Sequence, residues 1–347
     1  METINLALQT MFAELIERCL DAGFDQDFDE QGQFVKVTSR GRQYWYFQKY
    51  GGGGRTRKYV GPVAEREITD RVEKFQQLKN AYRERRQIVR SLISVLPRPD
   101  DLTGDIVQAL WKAGFFRLRG VLIGTTAFQA YSGLLGVKLP STSLITQDAD
   151  FAQFKAISDA VDDSMPPILD VLQTVDKSFA PVPNLDGPAS TIFVTSGGYR
   201  VEFLTPNRSS DNYQGKTVPM PALGGARAQP IRFLDFLIKD PVWSVILHRG
   251  GIPVRVPDPS RFAIHKLIIS TRRADHAFAK TDKDIHQARL LIEALSKHRA
   301  YDLGEALVIA EETGPKWAKS ITQAMTGLDE DTRTRLEAAR SAFRNEN

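Results

Sequence analysis

At 347 residues, 42% hydrophobic and 25% charged, the chain has the make-up of a soluble globular protein with room for two or three domains. No apolar run approaches the ~18 residues of a membrane span, which excludes a membrane protein. The net charge of +4 is unevenly spread: positions 35–95 hold 15 lysines and arginines against 5 acids, a local +10 that leaves −6 for the rest.

The opening stretch, METINLALQTMFAELIERCLDAGF, is acidic and amphipathic rather than basic and then apolar, which argues against a secretory signal. Cys19 is the only cysteine, so no intrachain disulfide and no cysteine zinc site can form, and a cytoplasmic location is expected. The 5 histidines show no H-x-x-x-H or H-E-x-x-H spacing, which argues against a histidine metal site.

After the first helix, QFVKVTSRGRQYWYFQKY reads as a strand, a turn and an aromatic strand; GGGG breaks the chain and RTRKYVGP returns as a third strand. A long helix over 63–96 follows, with Val72, Phe75, Leu78 and Tyr82 as its buried stripe. Tyr44, Trp45, Tyr46 and Tyr59 interleave with Arg42, Lys49, Arg55, Arg57 and Lys58. Two readings stay open: rings that stack on bases beside cations that neutralise phosphates, or rings that form the core of the sheet under a solvated basic face. PRPDD at 97–101 reads as a linker.

The second region alternates a helix, GDIVQALWKAGFF, with the strand-like runs GVLIGT, SLITQDADF, STIFVTS, YRVEFLTP and IRFLDFLI, the pattern of a mixed α/β domain. From 258 onward the apolar spacing is helical throughout, with Gly314 and Pro315 as a break. The expected organisation is a basic, aromatic N-terminal domain at 1–95, a mixed-sheet α/β (α+β) core at 96–257 and a helical C-terminal region at 258–347.

Three features in the core carry chemistry. An apolar strand runs directly into Gly124 and Thr125 and then a helix, an arrangement that suits a phosphate cradle as well as an ordinary capped helix start. Asp148 and Asp150 lie one residue apart on a strand and therefore share a face, where two like charges call for a cation; a solvated acidic turn is the alternative. Glu202 sits between Val201 and Phe203 on the second strand of a glycine-turned hairpin, either paired or bound to a cation, or facing solvent on an edge strand.

This order resembles the DNA polymerase β-like nucleotidyltransferase superfamily, in which a glycine and a small residue precede a helix, followed by D-x-D and a third carboxylate. Within it the chain looks most like the minimal bacterial nucleotidyltransferases that include AbiEii-type toxins, which also carry a lysine on a helix after the core. Lys266, and then Lys280 and Asp284, stand in comparable places. The resemblance covers roughly 105–295. Thr125 stands where the family usually has serine or glycine, and the gap from Gly124 to Asp148 is longer than usual.

The resemblance implies a magnesium-dependent, ATP-binding type of transferase that moves a nucleoside monophosphate from an NTP to an acceptor. Asp148 and Asp150 would hold two Mg²⁺ ions, and Glu202 would complete one of them and help the attacking hydroxyl lose its proton. Gly124 and Thr125 would hold the β and γ phosphates, with Lys266 as an added charge or as a helix lysine with no such role. The basic N-terminal region tilts the acceptor toward tRNA or another RNA, and the AbiEii likeness brings in a toxin role. The alternatives are an inactive core in a nucleic-acid-binding or interaction protein, and AMP transfer to protein.

Overall fold

The computed structural model describes residues 1–27, 33–51, 54–74, 82–140, 147–183, 190–207, 217–272 and 278–346. The N-terminal part contains α1 (Leu6–Asp27), the strands β1 (Gln33–Ser39), β2 (Arg42–Gly51) and β3 (Gly54–Pro62), then α2 (Arg66–Lys74) and α3 (Tyr82–Leu92). β1, β2 and β3 form an antiparallel meander, as the sequence pattern predicts. Phe75 and Leu78 of the expected long helix lie outside the described residues.

Both faces of the meander are covered. Trp45, Phe47 and Val60 pack with Ile68 and Val72 of α2, and the Trp45 indole N–H donates to Thr69 Oγ1 at 2.8 Å. On the other side Tyr46 and Tyr59 enter the main apolar core. Asp163 accepts the Tyr59 backbone N–H at 2.7 Å and pairs with Arg117, which fixes the meander to the rest of the molecule. The aromatic side of the base-stacking expectation is therefore corrected: Trp45, Tyr46 and Tyr59 are core residues, and Tyr44 is half-buried against the same core. Strand alternation assigns residues to two faces but does not reveal that a helix covers one and the main core the other. Replacing Trp45 with alanine is accordingly expected to cost ~3–5 kcal/mol of folding stability in denaturant unfolding. A ring held out for base stacking would leave the unfolding midpoint where it was.

The central part contains α4 (Asp101–Lys112), β4 (Val121–Ile123), α5 (Gly124–Leu135), β5 (Asp148–Ala152), α6 (Lys155–Ala160), α7 (Ile168–Gln173), β6 (Ala180–Pro181), β7 (Ile192–Val194), β8 (Arg200–Pro206), β9 (Val218–Pro219), β10 (Arg227–Ile231), α8 (Leu234–Ile238), β11 (Val242–Ile246) and β12 (Ile252–Val256). The main sheet runs β4-β5-β8-β10-β9, with the β6–β7 ribbon added along β8. β5, β8 and β10 are parallel, whereas β4, β7 and β9 pair antiparallel with their neighbours. The expected mixed-sheet α+β class is what the chain adopts.

Several local expectations are corrected. Asp100 and Asp101, read as linker, begin α4 instead: Asp100 caps it, accepting from the Thr103 backbone N–H at 2.9 Å and the Thr103 hydroxyl at 2.6 Å. The helix stops at Lys112 rather than Phe116, just before Gly114 at φ +93°. IRFLDFLI is not a strand. β10 ends at Ile231, Phe233 turns the chain at φ +66°, and Leu234–Ile238 coils into α8 with four of its five side chains buried. A short apolar run that is buried all round has no period to tell strand from helix. The β11–β12 hairpin was missed, although HRGG between two β-branched runs signals it.

The C-terminal helices are α9 (Pro259–Ser270), α10 (Phe278–His298), α11 (Ala300–Glu312), α12 (Pro315–Thr326) and α13 (Glu330–Glu346). Asp258 caps α9 with bonds from the Ser260 and Arg261 N–H groups at 2.8 and 3.3 Å. α9 is buried on nearly every side, packed against α8, α10, α11 and α12. One apolar core extends from Tyr46 and Tyr59 through the sheet to Leu336 and Ala339. Among the described residues no helix is long and apolar enough to cross a membrane.

Candidate active site

The three acids come together because of a register. β5 and β8 are parallel with Asp148 opposite Arg200 and Asp150 opposite Glu202, so all four side chains belong to one sheet face. The alternate positions, Ala149, Phe151, Val201 and Phe203, are buried on the other face, where the Phe151 and Phe203 rings stack at 5.8 Å. Apolar packing beneath the sheet thus holds the charged residues above it. β8 is flanked by β5 on one side and by β7 and β10 on the other, so Glu202 is not on an edge strand.

Next to Asp150 the chain makes a turn that only glycine suits. Ile123 pairs with Asp150, and Gly124 then enters α5 at φ +68°; a Cβ there would stand 2.7 Å from Asp150 Oδ2. No side chain caps this helix start, so the ordinary capped start is not what the G-T pair forms. The first-turn N–H groups and Thr125 border a cleft of about 730 Å³ that also contains Asp148, Asp150 and Glu202.

The opposite wall is α9, whose residues 262, 265, 266 and 269 line the cleft at helical spacing, with Arg272 just past its end and the start of α10. Lys266 is buried, with its ammonium 2.6 Å from Asp284. It is therefore neither a snorkelling surface lysine nor a bare charge at the cleft wall. Lys280 and Lys283 line the same wall.

Asp150 is half-buried, its carboxyl enclosed by the cleft floor. That enclosure, and then the like charges of Asp148 and Glu202, push its pKa up to about 7 against the pull of Lys266 and Arg200. Burial pulls the Lys283 ammonium down, opposed first by Asp148. Glu202 meets a cation of the chain itself: Arg200 Nη2 donates to Glu202 Oε2 at 2.9 Å. Among the described residues no three His, Cys, Asp or Glu side chains converge closely enough to enclose a metal ion as they stand. The donor set nonetheless fits a hard divalent cation, because it offers carboxylate oxygens only and includes one acid whose charged form burial and two neighbouring acids disfavour.

Residues 101–310 match the model of a family described as nucleotidyltransferase. The chain belongs to this nucleotidyltransferase family. A search of curated proteins gives no match. Among solved structures the chain is similar to an antigenic nucleotidyltransferase-like protein from Paracoccidioides brasiliensis, at 15% identity and a TM-score of 0.31 over 65% of this chain and 94% of that one.

Four cleft residues of this nucleotidyltransferase escaped the sequence reading: Arg200, Arg232, Arg272 and Lys283. Arg200 precedes Glu202 by two positions and was open to the same alternation argument. Lys283 adjoins Asp284, and Arg272 extends the stripe of α9. Arg232 carries no local signal, since it reaches the cleft only because β10 pairs with β8.

Proposed function

We propose that this nucleotidyltransferase moves a nucleoside monophosphate from an NTP to an acceptor hydroxyl, breaking the bond between the α and β phosphates and releasing pyrophosphate, with Asp148, Asp150 and Glu202 at the reacting centre. What carries the reading is the sharing of one cleft face by these acids beside the uncapped start of α5. Asp148, Asp150 and Glu202 would hold Mg²⁺, two ions in the mechanism inferred from the order of the motifs, with Glu202 exchanging Arg200 for the ion. When bound, the metal neutralises charge on the α-phosphate and acidifies the attacking hydroxyl.

The chain's own residues do the rest. The N–H groups at the start of α5, from Gly124 on, and the Thr125 hydroxyl hold the β and γ phosphates, favoured by the helix dipole. Lys280 and Lys283 face them with positive charge, and Lys266 adds to that field from within its pair with Asp284. A Glu202 carboxylate oxygen takes the proton of the attacking hydroxyl. Positioning and charge neutralisation are the main tasks of such a site.

Gly124→Ala tests the cradle. Its Cβ would displace the Asp150 carboxylate, and the left-handed backbone adds ~1–2 kcal/mol of strain. Transfer is expected to fall roughly tenfold or more while the melting temperature drops by a few degrees. Unchanged kcat/KM in a folded variant would remove Gly124 from the site.

The RNA acceptor now rests on charge alone. The +10 of segment 35–95 supports it, although Arg71 and Arg85 of that segment are buried, Arg71 among Glu17, Asp21 and Glu67. Kinship to AbiEii-type enzymes, a toxin role, and the division at 95/96 and 257/258 are parts of the same proposal, supported by motif order and composition. Incubation with each labelled triphosphate, Mg²⁺ and a cell extract tests it. Label on RNA is the expected result, label on protein indicates AMP transfer to protein, and no label with any triphosphate indicates an inactive core.

A further inference from the structure

The cleft has a second end, built differently from the first. Phe233, in the turn after β10, carries a guanidinium on each of two contacts: Arg232 lies over its ring at 5.5 Å and Arg272 at 4.9 Å. All three residues line the same cleft as the acids. Phe233 itself is buried, and its ring meets Trp317 of α12 edge-on at 4.4 Å. It holds this place in a left-handed conformation, φ +66°, which a bulky side chain adopts at a cost in free energy. Strain of this kind persists where the surroundings impose it, and here its result is a rigid aromatic post with two arginines on it.

The distance from the acids decides what such a post could hold. Ile231 pairs with Pro206, four residues beyond Glu202 on β8, which puts the backbone at Arg232 roughly 13 Å along the sheet from that of Glu202. On the other wall Arg272 lies six residues beyond Lys266, in the turn that follows the end of α9 at Ser270, where α9 itself has risen about 6 Å from Lys266. A triphosphate tail has only two P–O–P links. With its α-phosphate at the acids and its β and γ phosphates on Gly124 and Thr125, it occupies one end of the cleft, whereas the backbone at Arg232 and Arg272 stands further along it.

We infer that Arg232 and Arg272, braced by Phe233, form a subsite for a phosphate group of the acceptor, one sugar unit or so from the hydroxyl that attacks. This rests on the nucleotidyltransferase reading of the acids. Stacking engages the flat face of a guanidinium while its N–H donors lie along the edge, the geometry that grips phosphate oxygens in pairs. An acceptor of this kind is a nucleotide or a nucleic-acid 3′ end, which share a phosphate beside a free hydroxyl.

The test uses the full chain with its nucleotide site saturated by Mg²⁺ and a non-hydrolysable ATP analogue. AMP, adenosine and a short single-stranded RNA with a 3′-hydroxyl are then titrated into the parent, into Arg272→Gln and into Arg232→Gln/Arg272→Gln. Arg272 is exposed, so its single variant keeps the fold even where the double variant does not. The parent is expected to prefer AMP or the RNA over adenosine, and the variants to lose about tenfold to a hundredfold of that binding with analogue affinity unchanged. Loss confined to the RNA identifies a polymer acceptor, and loss confined to AMP a small one. If analogue affinity falls equally, the arginines serve the triphosphate and the inference fails; it fails also if no affinity changes. Failure of the nucleotidyltransferase reading looks different: the parent binds no analogue with Mg²⁺, and the AMP and RNA titrations, run without it, still judge the arginines.

Discussion

Asp150→Asn is expected to abolish nucleotidyl transfer, by at least ~10²–10³-fold, and at the same time to stabilise the metal-free protein at neutral and alkaline pH. The two effects have one cause. In the unfolded chain Asp150 loses its proton near pH 3.8, whereas in the folded protein burial and the charges of Asp148 and Glu202 delay that loss to about pH 7. Between these values the folded state binds more protons than the unfolded state, so stability falls as pH rises from about 4 to 7 and levels off above. The carboxyl borders a solvent-filled cleft, so the effect is set at roughly 2–4 kcal/mol. Asparagine has no such titration, and the slope should vanish from the variant. Melting curves at pH 5 and pH 8 without metal measure it; a variant that loses as much stability as the parent over that interval would refute the placement of a strained carboxylate here. Asp148→Asn should be equally inactive.

Lys266→Ala is expected to cost ~3–5 kcal/mol of folding stability, because it takes the ammonium from beside the buried Asp284 carboxylate. The double variant Lys266→Met/Asp284→Leu should recover most of that loss, since two apolar side chains of similar length can fill the same space. Kinetics on the double variant then separate two roles. A lysine that only supports α9 against α10 leaves the KM for NTP near its parent value once folding is restored. A lysine whose charge reaches the triphosphate leaves KM raised even in the rescued protein. A single variant with an unchanged melting temperature would contradict the buried pair itself.

The alternation of DADF and YRVEFL was enough to read the acids from the sequence, because a strand's period of two fixes which residues share a face whatever surrounds them. The G-T turn and the glycine-turned hairpin were legible for a similar reason, since Gly124 and Gly198 both need backbone angles open to glycine. What stayed hidden depends on partners far away in the chain. Lys266 pairs with Asp284 across two helices, and Trp45 is covered by α2 from a separate element. α8 followed from no pattern, as the burial of four of its five side chains erases the period that would have marked it. Arg232 and Arg272 converge on one ring from a strand end and a helix end. No local rule brings these two positions together.

The pairing of Asp150 with Glu202 joins two parallel strands separated by a long excursion of chain through α6, α7, β6 and β7. Such a contact cannot form early: the entropy of closing that loop must be overcome before any carboxylate of β8 meets one of β5. On the proposed function, nucleotide and metal would then have nothing to bind on a partly folded chain, and their binding would report completion of the sheet. By mass action, a ligand that recognises only the finished register lowers the population of every incomplete form together. On the proposed function, added triphosphate would raise the resistance of this chain to proteolysis in vitro. A one-residue slip of β8 against β5 would present Val201 or Phe203 to the cleft in place of Glu202, which makes the register itself the step at which a chain becomes competent or does not.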